Sequence, residues 1–232
     1  MNVIHNSVAR QTVATSLAAV AAAAVLMMIP ALWNGYPLFY YDSVDYVQLP
    51  FTWDLPIYRT MSYAMMSLMA KLAGTLWVIP VLQSLAVAYV LHEALTVFTR
   101  SPAGMTLVPV AMTLAVLTGL PWFASEIMAD VFAGVVILGI AALAFGGDRL
   151  GRGRSVALML LVAIGICFHT SHVAVAAGLV LCLLALRWIV RWPVGVLMPF
   201  VSVVTGVTMI LTIHWGPVGR PLLTQPSNIV LR

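Results

Sequence analysis

Apolar residues fall along this chain in eight long runs, at about 13–33, 57–73, 75–97, 104–122, 127–145, 155–168, 172–190 and 194–215. A helix that crosses the hydrocarbon core of a bilayer needs about 20 such residues. No soluble domain interrupts the runs, and no internal repeat relates them. The pattern predicts an all-α fold: a polytopic transmembrane helix bundle, built as one domain over residues 1–232.

The polar positions between the runs orient the bundle. Arg10 precedes the first run, Arg100 follows the third, and Arg149, Arg152 and Arg154 share the loop "GGDRLGRGRS". Arg187 and Arg191 close the seventh. Loops rich in arginine stay in the cytoplasm. All seven reach that side only if the run 57–73 does not cross. That run, inside "IYRTMSYAMMSLMAKLAG", is short, Met-rich and charged near both ends by Arg59 and Lys71. It is predicted to lie along the outer surface as an interfacial helix. The expectation is therefore seven crossings, with the N-terminus cytoplasmic. Residues 34–73 form an outer loop holding that helix, and 216–232 an outer tail.

Composition removes the soluble alternative. The chain is 62% hydrophobic and 8% charged, where soluble domains carry about 25% charge. The net charge of +4 comes without any basic stretch interleaved with aromatics, so nucleic acid is not an expected partner. The first run exceeds the ~7–15-residue core of a signal peptide and has no clear cleavage site before "PALWNG"; it is read as a retained first span. Cys167 and Cys182 lie inside apolar runs, 15 apart and without a CxxC pair, and are read as inert buried thiols.

The scarce acids then become informative. Asp42, Asp45, Asp54, Glu126 and Asp130 are all expected at the outer end, with His169, His172 and His214, whereas Glu93 and Asp148 are expected near the inner end. A carboxylate at mid-bilayer costs about 2.5–3.5 kcal/mol on insertion scales, which placement near a span's end largely avoids.

Three stretches carry candidate chemistry. In "FYYDSVDYVQLPFTWDLPIYR", Asp42 and Asp45 are three apart, so a helical turn puts both on one face. Such a carboxylate can take a proton from a hydroxyl or hold a metal; as readily, it is a solvated loop acid in an aromatic belt. Tyr41 and Trp53 suit a sugar ring or the headgroup layer, and Arg59 suits a phosphate or an interface anchor. In "PWFASEIMADVFAG", Glu126 and Asp130 are four apart and expected on one face at a span's start. Their like charges raise the proton affinity of one or call for a cation, although acids at a helix start also favour its dipole. In "CFHTSHVAV", His169 and His172 sit in a hairpin with arms of about 16 residues, roughly 24 Å each at ~1.5 Å per residue. That is shorter than the ~30 Å core, so a polar turn below the surface needs partners or a wet cavity. Thr170 or Ser171 as the cap of the next helix explains the same polarity.

Several motifs are absent: HExxH, GxSG and GxxxxGKS do not occur. "YYD" and "FGGD" have the look of intramembrane aspartyl protease motifs, but Asp42 and Asp148 are expected at opposite ends.

A first span, an outer loop with an early acid, an interfacial helix and further spans together resemble the start of the GT-C class of membrane glycosyltransferases. The chain is also similar to a group of bacterial polytopic proteins with a "PL…D…Y" loop, a "PVLQ" span, "LPW" before an acidic span start and a His-containing hairpin. The likeness covers about residues 30–190. It implies a bacterial inner-membrane protein that takes a sugar from a polyprenyl-phosphate donor held in membrane lipid. Asp42 is the implied base, and "SEIMAD" a second acidic element. Arg59, His169 or His172 would offset the leaving phosphate. Mg or Mn is compatible with such carboxylates and not required. GT-C enzymes have more spans, so a minimal module or a truncated product is expected. Two other readings stay open. One is a proton- or cation-coupled transporter, with Gln83, Ser84 and Glu93 as a thin polar line. The other is a non-catalytic membrane subunit.

Overall fold

The computed structural model describes residues 2–52, 60–99 and 103–218, with 2–13, Pro50, Thr52 and 216–218 described by backbone alone. It is all-helical. The order is α1 (Asn2–Met27), α2 (Ile29–Asn34), α3 (Ser43–Thr52), α4 (Met61–Ala73), α5 (Val78–Phe98), α6 (Ala103–Leu117), α7 (Leu120–Ser125), α8 (Val131–Phe145), α9 (Arg152–Phe168), α10 (Thr170–Trp188) and α11 (Leu197–Val218). Among the described residues three helices are long and apolar enough to cross a membrane: Val78–Phe98, Thr170–Trp188 and Leu197–Trp215. The apolar stretches Ala14–Met27, Ala103–Leu117 and Val131–Phe145 are shorter.

Two runs read as single spans are broken. The run 13–33 turns at Met28, because Pro30 has no N–H to continue the ladder and its ring crowds the preceding turn; α2 restarts there and stops at Gly35, which adopts φ +74°. The run 104–122 breaks at Thr118 and Gly119, ahead of Pro121 at the start of α7.

Hydrogen bonds sort the loops into two ends. At one end, Ala31 N–H donates to Ser125 Oγ, and that hydroxyl donates to the Met27 carbonyl. Thr60 Oγ1 donates to the Phe168 carbonyl (2.6 Å) and Met61 N–H to His214 Nε2 (3.1 Å). At the other end, Arg154 pairs with Glu93, Arg149 donates to the Val97 carbonyl, and Gly195 N–H donates to the Ala144 carbonyl. Helices α5, α8 and α10 run from the first end to the second, and α9 and α11 run back. α4 does neither. Its first residues meet the last of α9 and α11, and a short turn after Gly74 leads from it into the start of α5, so both its ends lie at the first end.

Small residues let the helices close up, as interfaces between apolar helices require. Gly206 of α11 is the clearest case: a methyl group there would lie 2.8 Å from both the Ala163 carbonyl oxygen and the Ile166 Cβ of α9. Both cysteines are free thiols; Cys167 is buried as expected, but Cys182 faces outward on α10.

Candidate functional site

The first end of the bundle holds Asp42, Asp45, Glu126 and Asp130 with His169, His172 and His214, while Glu93, Asp148 and His92 lie toward the other. The loop after α2 runs beside the segment between α7 and α8. Leu38 N–H donates to the Ser125 carbonyl and Ile127 N–H to the Leu38 carbonyl, both at 3.0 Å, which makes a parallel bridge between Leu38 and Glu126. The "YYDSVDY" and "SEIMAD" stretches are thereby tied through their backbones.

Asp42 directly precedes α3, and its carbonyl accepts from Tyr46 N–H at 3.4 Å. Asp45 lies in the helix's first turn. Both carboxylates are half-buried. Ser43 Oγ accepts from Tyr40 N–H at 2.8 Å and caps this turn. Tyr41 is 85% exposed, so its ring projects from the end rather than lining an enclosed space. Trp53, Asp54 and Arg59 lie outside the described residues.

Glu126 and Asp130 do not share a helix face as the spacing predicted. Glu126 ends α7 in an extended conformation, and α8 begins only at Val131. The intervening backbone is irregular because its polar groups are met from outside the segment. Gln83 Nε2 donates to the carbonyls of Ala124 (3.1 Å) and Glu126 (2.7 Å). Gln83 Oε1 in turn accepts from the Tyr63 hydroxyl. Burial, and next the charge of Asp130, hold the Glu126 carboxyl above the usual carboxylate range. Asp130 is exposed.

An aromatic floor lies next to these groups. The Tyr63 ring meets Tyr46 edge-on at 4.6 Å and Phe168 at 5.4 Å, and Phe168 meets Phe132 at 4.7 Å. Phe168 leads directly into the histidine turn. His169, rather than Thr170 or Ser171, caps α10: its Nδ1 accepts from Ser171 N–H at 3.2 Å. His172 Nδ1 lies 2.8 Å from the Gly165 carbonyl. A carbonyl only accepts, so Nδ1 carries the proton and Nε2 is left as the acceptor. The two rings are 5.4 Å apart. Among the described residues no three His, Cys, Asp or Glu side chains converge as metal ligands.

Gln83 and Tyr63 are the residues whose role the chain alone conceals. Gln83 reads there as a member of a polar line through the bundle, whereas here it braces the acidic loop. Its signal is one amide in an otherwise apolar stretch, which says that a partner exists but not which.

A carboxyl with raised proton affinity stabilises the fold most when it is protonated. That contribution is complete below the ordinary glutamate value and is lost as pH rises through the raised one. Glu126→Gln removes the loss. The variant is expected to melt with the wild type near pH 4 and above it near pH 7; parallel melting curves at both values check this, and an equal offset at both refutes it.

Comparison with known proteins adds no precedent for this arrangement: no family model, no curated protein and no solved structure matches the chain.

Proposed function

We propose that the chain is a glycosyltransferase-like protein of a bacterial inner membrane, with seven crossings, a cytoplasmic N-terminus and its reacting groups at the outer end. The donor is a sugar on polyprenyl phosphate. Asp42 takes the proton of an acceptor hydroxyl, the freed oxygen bonds to the sugar's anomeric carbon, and the bond from that carbon to the phosphate oxygen breaks. Arg59, or a histidine of the hairpin, offsets the charge on the departing phosphate.

The observation that carries the reading is the Leu38–Glu126 bridge. It couples the chain just ahead of Asp42 to the Glu126 stretch, while the Glu93 and Asp148 carboxylates lie at the opposite end with Arg149 and Arg154. Four carboxylates and three imidazoles at one end suit chemistry on a headgroup at one membrane face, where Glu93 at the other end is paired with Arg154. A relay for protons or cations needs polar groups along the whole path.

The test uses the purified chain in proteoliposomes with radiolabelled polyprenyl-phosphate hexoses, and it reads release of polyprenyl phosphate. Wild-type turnover is expected for at least one donor, with a fall of about 100-fold in Asp42→Asn, the size of effect a lost general base produces. Turnover that survives Asp42→Asn removes the base role. No turnover with any donor, beside proton or cation flux into the vesicles, favours the transporter reading.

A further inference from the structure

α3, α4 and the turn into α5, with Tyr36, line an open pocket of about 410 Å³, and among the described residues none of the acids or histidines discussed above lines it. Its walls are mostly apolar, with Val47, Phe51, Ala70 and Leu76 among them. Two features break that surface. Lys71 brings its ammonium 4.4 Å from the centre of the Phe51 ring, and it stands in no ion pair among the described residues. Ser67 lines the same cavity and is buried, and its hydroxyl has no hydrogen-bond partner. A cation with no counter-charge among the described residues, beside an unsatisfied hydroxyl, is complementary to an oxyanion.

The surroundings say what carries that oxyanion. Lys71 is in the last turn of α4, at the end of the bundle where α5 begins. Next to it α4 turns Leu68, Met69 and Leu72 outward, and Leu72 is 84% exposed. A free phosphate ion would leave those side chains bare. A phospholipid covers them with its acyl chains while its headgroup reaches the ammonium, since a lysine at the end of a membrane bundle extends to the level of the lipid phosphates.

We propose that this cavity is a binding site for the phosphate headgroup of an anionic glycerophospholipid, with Lys71 as its charged ligand and Ser67 as a neutral donor. The site needs only that the bundle sits in a bilayer; it does not depend on the transferase reading. Phosphatidylglycerol satisfies the site, whereas the choline group of phosphatidylcholine places a positive charge beside Lys71.

The test reconstitutes the full chain in nanodiscs of phosphatidylcholine with a minor share of phosphatidylglycerol, releases it and counts retained lipids by native mass spectrometry. The wild type is expected to enrich phosphatidylglycerol roughly fivefold over the bulk mixture, the size of effect one lysine has at an anionic surface. Lys71→Gln is expected to lose the enrichment and Lys71→Arg to keep it. Added inorganic phosphate is expected to leave the lipid in place. Equal retention of the two lipids by the wild type overturns the proposal, as does an unchanged enrichment in Lys71→Gln or displacement of the lipid by phosphate. The wild-type comparison needs no variant, so a misfolded replacement leaves the test standing.

Discussion

Arg154→Gln is expected to destabilise the folded bundle by about 3 kcal/mol, while the double variant Glu93→Gln/Arg154→Gln loses less than half of that. The Glu93 side chain is only 1% exposed, and Arg154 is its main partner. Arg154 Nε donates to both carboxylate oxygens at 2.9 and 3.2 Å, and Nη2 reaches Oε2 at 2.7 Å and Thr96 Oγ1 at 2.8 Å. Removing the guanidinium leaves a carboxylate enclosed between α5 and α9 with only His92 Nδ1 at 3.3 Å. Breaking a buried pair on one side costs ~3–5 kcal/mol, whereas replacing both members is often near neutral. The lower end applies because Arg154 is 40% exposed and water reaches part of the pair. Equilibrium unfolding in mixed micelles measures both variants. A single variant within ~0.5 kcal/mol of wild type, the usual size of a surface change, would show that the pair contributes no more than an exposed one.

Gln83→Leu is expected to lose about 3 kcal/mol and, on the proposed transferase reading, to lower turnover as well. The amide is fully buried and bonds three groups, the carbonyls of Ala124 and Glu126 and the hydroxyl of Tyr63, of which the Glu126 carbonyl keeps a second donor, Met128 N–H at 3.0 Å. Leucine fills the space and satisfies none of them. Each buried group left unpaired costs ~1–3 kcal/mol before relaxation. Tyr63→Phe removes one bond of the three and is expected to cost about 1 kcal/mol. The same unfolding measurement separates the variants. If Gln83→Leu keeps full stability but loses turnover, Gln83 acts on the reacting groups rather than as a brace.

Helices were legible in this chain wherever a run was uniformly apolar, because such a run satisfies its own backbone and needs no partner to be read. Breaks inside a run were not. Met28 and Gly119 sit among residues as apolar as their neighbours, and only Pro30 and Pro121 mark the interruptions. The same reason moved the start of α8 to Val131. Glu126 to Asp130 have helical spacing, but Gln83, 43 residues from Glu126, meets the carbonyl that a helix would have used. At the candidate site, the positions of the acids followed from loop charge and alternating helix direction. The link between Leu38 and Glu126 had no sequence signal at all, since it is made by backbone groups that every residue but proline carries.

The anchoring of α4 has a consequence for how the protein is made. Thr60 and Met61 bond to partners 108 and 153 residues further along. At a synthesis rate of ~5–20 residues per second, His214 leaves the ribosome roughly 8–30 s after Met61. Until Phe168 emerges the Met-rich segment has only its nearest neighbours in the chain to pack on, and its second anchor waits for the last helix.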